Sequence, residues 1–109
     1  MRLRSNILLA SLTLLLLQLG AAHAAQDTNL VQQGKTLAQS LCAECHTFGG
    51  AMRSDRAALD FAAIGAMPST TLLSLRVFLK SSHRLMPDLI LEEAQIEALS
   101  AFILDLGRK

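Results

Sequence analysis

Two cysteines and a histidine form the most reactive cluster in the sequence. Cys42 and Cys45 lie three positions apart, about one helical turn, and His46 follows directly, so the segment reads C-x-x-C-H. Two thiols at this spacing can reach the two vinyl groups of one haem and form thioethers, and the adjacent imidazole then falls beneath the iron. The spacing therefore predicts one covalently attached haem c, with Cys42 and Cys45 as its anchors and His46 as proximal iron ligand.

The same three residues fit other kinds of site. The cysteines could form a disulfide, or a buried pair of thiols beside a bystander histidine. A C-x-x-C pair also serves thiol–disulfide exchange, and it can supply half of a zinc site. An export signal, a Met-Pro pair far downstream and a helical pattern without a βαβ unit favour haem over these alternatives.

A methionine followed by a proline lies well beyond the C-x-x-C-H segment. Pro87 disfavours the α conformation at Met86, so we expect Met86 in an extended loop that can aim its thioether at the iron as the distal ligand. The alternative is a loop methionine that fills a gap in the core. His83 competes with Met86 and would give bis-histidine ligation. Met52, close behind the cysteines, and Met67, before the third helix, are weaker candidates.

The N-terminus has the pattern of a secretory signal peptide. Basic residues precede an apolar run from Ile7 to Leu19, and Ala22–Ala24 has the A-x-A form of a cleavage site. An uncleaved anchor is the alternative, but the run is short for a membrane span. We expect residues 1–24 to be removed on export to the bacterial periplasm, and residues 25–109 to form one monohaem domain without stable membrane insertion.

Charge and size narrow the classes of function. Two of the ten Lys and Arg residues lie in the signal peptide, so residues 25–109 carry eight basic and nine acidic side chains, a formal net charge of −1. That balance does not suit nucleic-acid binding. A domain this small has a marginal core, which a large apolar cofactor would extend. We expect a monomer.

Apolar periodicity predicts helices and no strand, which places the chain in the all-α class. We expect a first helix over residues 29–41, begun by capping residues Asp27–Asn29, and a short helical turn within residues 59–67. A third helix is predicted over residues 70–81 and a fourth over 92–106.

The last predicted helix carries a clear apolar stripe, and the first contains a glycine. Glycine is unfavourable inside a helix by roughly 1 kcal/mol relative to alanine, unless another helix crosses closely there. We therefore expect the two helices to cross, with Gly34 against Phe102. The stripe consists of Ile96, Leu99, Phe102, Ile103 and Leu106.

The order of these features resembles class I cytochrome c, a family of small monohaem electron-transfer proteins. The resemblance covers residues 25–109 and includes a Leu-rich helix over residues 72–80, then His83 and Met86-Pro87. It implies a cytochrome c-like fold of three to four helices wrapped around the haem, with iron bound between His46 and Met86.

The chain also departs from the family pattern. A proline carbonyl soon after the haem motif often orients the proximal histidine, but residues 47–67 contain no proline, so the partner of the His46 ring stays open. Phe78 stands where relatives often have tryptophan, and Phe102 where tyrosine is frequent. We therefore expect a less stable holoprotein or a small shift in potential.

The resemblance implies a one-electron carrier and not an enzyme. Redox partner proteins, such as a dehydrogenase, an oxidase or a reductase, would dock at the haem edge near Lys80, Arg84 and Arg53, although surface solvation explains these charges as well.

The alternatives to a free carrier are a haem sensor or ligand-binding protein with labile distal ligation, and a subunit of a periplasmic dehydrogenase complex. A thiol–disulfide oxidoreductase would need a sheet, and no convincing alternating strand is present.

Overall fold

The computed structural model describes three parts of the chain, and they are helical. Its described residues are 25–49, 59–81 and 86–109. They form helices α1 (residues 25–41), α2 (Phe61–Ala66), α3 (Leu72–Lys80) and α4 (Glu93–Gly107), and these ranges hold no strand. The predicted all-α class is therefore confirmed for this part of the chain. No helix within it is long and apolar enough to cross a membrane.

Helix α1 ends where the sequence predicts but includes the residues expected to cap it. Asp27, Thr28 and Asn29 lie inside the helix, so their predicted role as N-cap is wrong. The side chain of Asn29 instead accepts a hydrogen bond from Gln33 Nε2 at 2.7 Å. Such a bond between positions i and i+4 stabilises a helix, which explains why asparagine is tolerated there. The predicted signal peptide lies outside the described residues.

The other helices begin at identifiable caps. Thr71 is extended and caps α3 by accepting from Ser74 N–H at 3.1 Å, so α3 starts two residues later than predicted. Helix α4 follows Glu92, whose N–H donates to Gln95 Oε1 at 2.8 Å. Its N-terminus agrees with the prediction to within one residue.

Helix α4 lies at the centre of the core. It packs against both α2 and α3. Four members of its predicted apolar stripe are buried, and Leu106 is half-buried. The core cluster combines three of them with residues from the other three helices and from the turn after α1: Ala38, Cys42, Phe61, Leu75, Leu99, Phe102 and Ile103.

Helices α1 and α4 cross at a glycine, as predicted. A Cβ atom placed on Gly34 would lie 1.9 Å from the carbonyl oxygen of Ala98 and 2.8 Å from Phe102 Cβ. No side chain fits in that space, so the two backbones can approach this closely only with glycine. The predicted contact between Gly34 and Phe102 is confirmed.

A second glycine crossing, between α2 and α4, is not evident in the sequence pattern. A Cβ on Gly65 would lie 2.1 Å from Ile103 O, and a Cβ on Gly107 would lie 2.1 Å from the carbonyl carbon of Gly65. Gly107 is the last residue of α4, and its successor Arg108 is right-handed. The glycine at the end of α4 therefore permits close packing and does not form a left-handed cap.

Helix α3 contributes less to the core than its composition suggests. Leu75 is buried and Leu79 half-buried. Leu73, Val77 and Phe78 are 71%, 60% and 53% exposed. Because apolar residues occur on more than one side of α3, packing against α4 covers only part of them.

Candidate functional site

The C-x-x-C-H segment continues directly from α1. Cys42 N–H donates to Ala38 O at 2.9 Å, and the N–H groups of Cys45 and His46 both donate to Cys42 O, at 3.1 and 2.8 Å. The motif is therefore one hydrogen-bonded turn at the end of the helix. This turn brings the three predicted site residues together and fixes their relative positions through the backbone.

The two cysteines are free thiols with different surroundings. Cys42 is buried in the core cluster and Cys45 is exposed. Burial raises the pKa of the Cys42 thiol, because a thiolate there would lose its hydration. Reactive C-x-x-C nucleophiles have the opposite property, a lowered pKa.

The imidazole of His46 is oriented by a backbone carbonyl from a distant part of the chain. His46 Nδ1 lies 2.7 Å from Leu59 O. A carbonyl oxygen can only accept, so Nδ1 carries a proton, and in the neutral tautomer with this proton the lone pair lies at Nε2. Metal-ligating histidines commonly have this arrangement, in which the second ring nitrogen donates to a carbonyl. The partner of the His46 ring, which the sequence leaves open, is therefore the carbonyl oxygen of Leu59.

Aromatic packing links this imidazole to the core. The His46 ring lies 4.7 Å from that of Phe61, centroid to centroid. Phe61 in turn contacts Phe48 at 5.2 Å, and Phe48 contacts Phe102 of α4 at 5.9 Å. The ring is therefore held by a hydrogen bond at one nitrogen and by a tilted aromatic contact.

A buried carboxylate joins the two segments that meet at His46. Asp60 accepts hydrogen bonds from Thr47 Oγ1 at 2.5 Å, from Gly49 N–H at 2.9 Å and from Ala62 N–H at 2.7 Å. Burial alone would raise the pKa of Asp60, but these hydrogen bonds, with one from Ala63 N–H, outweigh it and hold the pKa below its usual range. Asp60 is also the N-cap of α2.

Met86 lies in a different part of the molecule from these contacts. It is half-buried in an irregular segment before α4. It lines a groove of about 400 Å³ between that segment, residues 87–91, and the end of α3, residues 79–81. Among the described residues, none that lines this groove also contacts the His46 ring through the hydrogen bond or the aromatic contact given above. Met67 is 39% exposed at the end of α2.

The remaining candidates cannot be placed. His83 and Met52 fall outside the described residues, as do Arg53 and Arg84. Within the described ranges, no three or more His, Cys, Asp and Glu side chains are grouped so that they could hold a metal ion.

The donor atoms at the turn fit a covalently attached haem. Two unpaired thiols and one imidazole with Nε2 available lie in a single turn. Large apolar side chains flank it, with Leu41 43% and Leu59 51% exposed. An apolar ring system placed there would cover them, which is favourable by about 25 cal/mol for each Å² of apolar surface removed from water.

Sequence reasoning missed the acceptor for His46 and the role of Asp60. An aspartate directly before a short apolar helical pattern is an N-cap signal, so Asp60 could have been recognised as a cap. Leu59 acts through its carbonyl, which every residue has, so no side-chain pattern could indicate it.

Comparison with known proteins adds no name to this arrangement. No protein-family model matches the chain, and no curated protein or solved structure matches it either.

Proposed function

We propose that this protein is a periplasmic one-electron carrier with a cytochrome c-like fold and one covalently bound haem c. Each thiol of Cys42 and Cys45 adds across one vinyl group, sulfur to carbon and hydrogen to the neighbouring carbon, so attachment needs no oxidant. His46 Nε2 binds the iron on the proximal side. When bound, the haem supplies one-electron exchange between its ferric and ferrous states.

The observation that carries this proposal is the hydrogen bond from His46 Nδ1 to Leu59 O at 2.7 Å. It selects the tautomer that a metal ligand needs, and it does so inside a C-x-x-C-H turn with both thiols free. The burial of Cys42 also argues against Cys42 as the nucleophile of a redox C-x-x-C, because reactive cysteines are accessible to solvent.

Met86 is the distal ligand in this proposal. Pro87 follows it in a segment without helix, and Met86 is only half-buried, so its side chain does not belong to the packed core. A thioether opposite imidazole favours the ferrous state relative to two nitrogen ligands. If both His46 and Met86 held the iron, its ligands would come from the chain itself, which suits one-electron exchange.

The test is expression in a bacterial periplasm together with haem-attachment machinery, followed by mass spectrometry and visible spectra. The expected wild-type product carries one haem through two thioethers. In the oxidised protein it shows the weak long-wavelength band of a sulfur–iron bond. That band should disappear in Met86→Leu and persist in Met67→Leu, a matched control because Met67 also precedes a proline.

Two results would contradict the proposal. A wild-type product without covalent haem would return the motif to its zinc, disulfide or redox alternatives. The second is a sulfur–iron band at odds with Met86 ligation: a band that persists in Met86→Leu would assign the sulfur ligand to another methionine, and a band absent from the wild type would favour bis-histidine ligation or a haem sensor. A His83→Ala variant separates those two, since only bis-histidine ligation would be lost in it.

A further inference from the structure

Asp60 lies next to the carbonyl that orients His46, and its surroundings suggest a role beyond capping α2. The carbonyl of Leu59 and the N–H of Asp60 belong to the same peptide plane, and peptide planes are rigid. That carbonyl oxygen accepts from His46 Nδ1. Whatever fixes the backbone of Asp60 therefore also fixes the direction of the hydrogen bond to the imidazole.

The Asp60 side chain fixes that backbone from two sides. On one side it accepts from Thr47 Oγ1 and Gly49 N–H, in the segment that follows His46. On the other side it accepts from Ala62 N–H in the first turn of α2. Asp60 as a residue is 4% exposed, so water offers little replacement for these bonds. A further bond, from Phe61 N–H to Thr47 O at 2.9 Å, joins the same two segments.

We propose that Asp60 is a positioning residue for the iron ligand His46, through the rigid peptide plane that ends in Leu59 O. The proposal rests on the proposed function, since it assumes that His46 binds the haem iron. Loss of the carboxylate would let this plane rotate and lengthen the bond from Nδ1. A weaker bond at Nδ1 makes the imidazole a poorer electron donor at Nε2.

The test uses the haem-loaded protein and two readouts located at the ligand. The first is the exchange rate of the His46 Nδ1 proton with solvent, measured by NMR in the reduced, diamagnetic state. The second is the reduction potential. In Asp60→Ala we expect proton exchange to be faster by about tenfold, as the loss of a typical hydrogen bond allows. We expect the potential to rise, because weaker donation and the lost negative charge both favour the ferrous state.

Two further variants separate positioning from general stability. Asp60→Asn retains a side-chain acceptor, so the Nδ1 proton should exchange close to the wild-type rate. Thr71→Ala removes the N-cap of α3, away from His46, and should reduce stability while leaving the exchange rate and the potential unchanged.

The outcomes are distinguishable. Haem-loaded Asp60→Ala with an unchanged exchange rate and potential would overturn the inference while leaving the proposed function intact. Equal changes in Asp60→Ala and Thr71→Ala would also overturn it, because they would trace the effect to lost stability. A wild type without haem would refute the proposed function, and this inference with it. If Asp60→Ala does not fold, a faster exchange in Thr47→Val, which removes one donor to Asp60, supports positioning, and an unchanged rate opposes it.

Discussion

The two sides of the proposed haem site are built in different ways. On the His46 side, residues 46–49 and 59–66, hydrogen bonds from His46, Thr47 and Gly49 end on a fixed carbonyl or a buried carboxylate. On the Met86 side, residues 79–81 and 86–91, the end of α3 and an irregular segment border an open groove. Ile90 on this side is 98% exposed.

This contrast indicates that, of the two proposed iron ligands, the fold alone orients His46 more firmly than Met86. The imidazole of His46 has its tautomer and ring plane set by protein contacts alone. Met86 lies in a segment without helix and is only half-buried, so in the proposed complex its position would depend more on the iron. We therefore expect His46, whose ring is already oriented, to matter most for incorporation of the haem. We expect Met86, which lies in an irregular segment, to matter most for the spectrum and the reduction potential.

The sharpest test of the contrast replaces each ligand by alanine. His46→Ala should lower the yield of haem-loaded protein by at least tenfold, because the oriented donor is lost. Met86→Ala should retain covalent haem at near wild-type yield, with a changed spectrum and a lower potential. The measurement is haem per protein by mass spectrometry and absorbance. Equal losses in the two variants would show that both sides are needed for incorporation and would remove the distinction.

A second test compares packing on the two sides. Gly65→Ala should destabilise the haem-loaded protein by about 3 kcal/mol, because its Cβ would meet Ile103 O at 2.1 Å and neither backbone can move easily. Ile90→Ala, on the exposed side, should change the free energy of unfolding by less than about 0.5 kcal/mol. Urea unfolding measures both.

The control for the glycine is Ala63→Ser on the exposed side of α2. It should behave like the wild type, which would exclude a general sensitivity of this short helix. A loss in Ile90→Ala as large as that in Gly65→Ala would mean that the Met86 side is packed in solution.

Acidification should also act mainly through the His46 side. Folding lowers the pKa of Asp60, so its contribution to stability is complete above the unfolded value of about 3.9 and is lost as the pH falls through the folded pKa. Asp60→Asn should lower the free energy of unfolding by about 2 kcal/mol at neutral pH, because buried donors lose a charged acceptor. The difference between the two proteins should shrink below about pH 4.

Urea unfolding between neutral pH and pH 3 checks this. The pKa values of Asp105 and Glu93 are lowered as well, Asp105 by a hydrogen bond from Lys109 and Glu93 by one from Lys80. Both remain in the variant, so their contributions cancel in the difference. A gap between wild type and Asp60→Asn that stays constant over this range would show that Asp60 does not titrate with folding.

The sequence predicts the helices and their crossing well because these depend on side-chain periodicity. The apolar stripe of α4 and the lone glycine in α1 were enough to predict the contact between Gly34 and Phe102, which the structure confirms. The predicted start of α1 at residue 29 was wrong, because the helix already begins at residue 25. Asn29 does not cap the helix but accepts a hydrogen bond from Gln33 inside it. Local pairing of that kind is hard to distinguish from capping in a sequence.

The site was predictable only in its side chains. Cys42, Cys45 and His46 are evident from their spacing, but Leu59 acts through its backbone, thirteen positions away. The close contact between Gly65 and Gly107 was not predicted either. A glycine in a sequence can indicate the end of a helix or a close helix contact, and its type alone does not distinguish the two. The placement of His83 and the ligation by Met86 stay predictions.

The smallest expected effect concerns an ion pair near the Met86 side. Lys80 Nζ lies 2.5 Å from Glu93 Oε2 and links α3 to α4, but both side chains are more than half exposed. Exposed pairs contribute little to stability and are screened by salt. Lys80→Gln should therefore lower the urea midpoint slightly at low salt and not at about 1 M salt, with Lys35→Gln on α1 as control. The sulfur–iron band should be unchanged. If Lys80→Gln abolished that band, the ion pair would fix the end of α3 against which Met86 lies, and the Met86 side would be held by charge where the His46 side is held by buried hydrogen bonds.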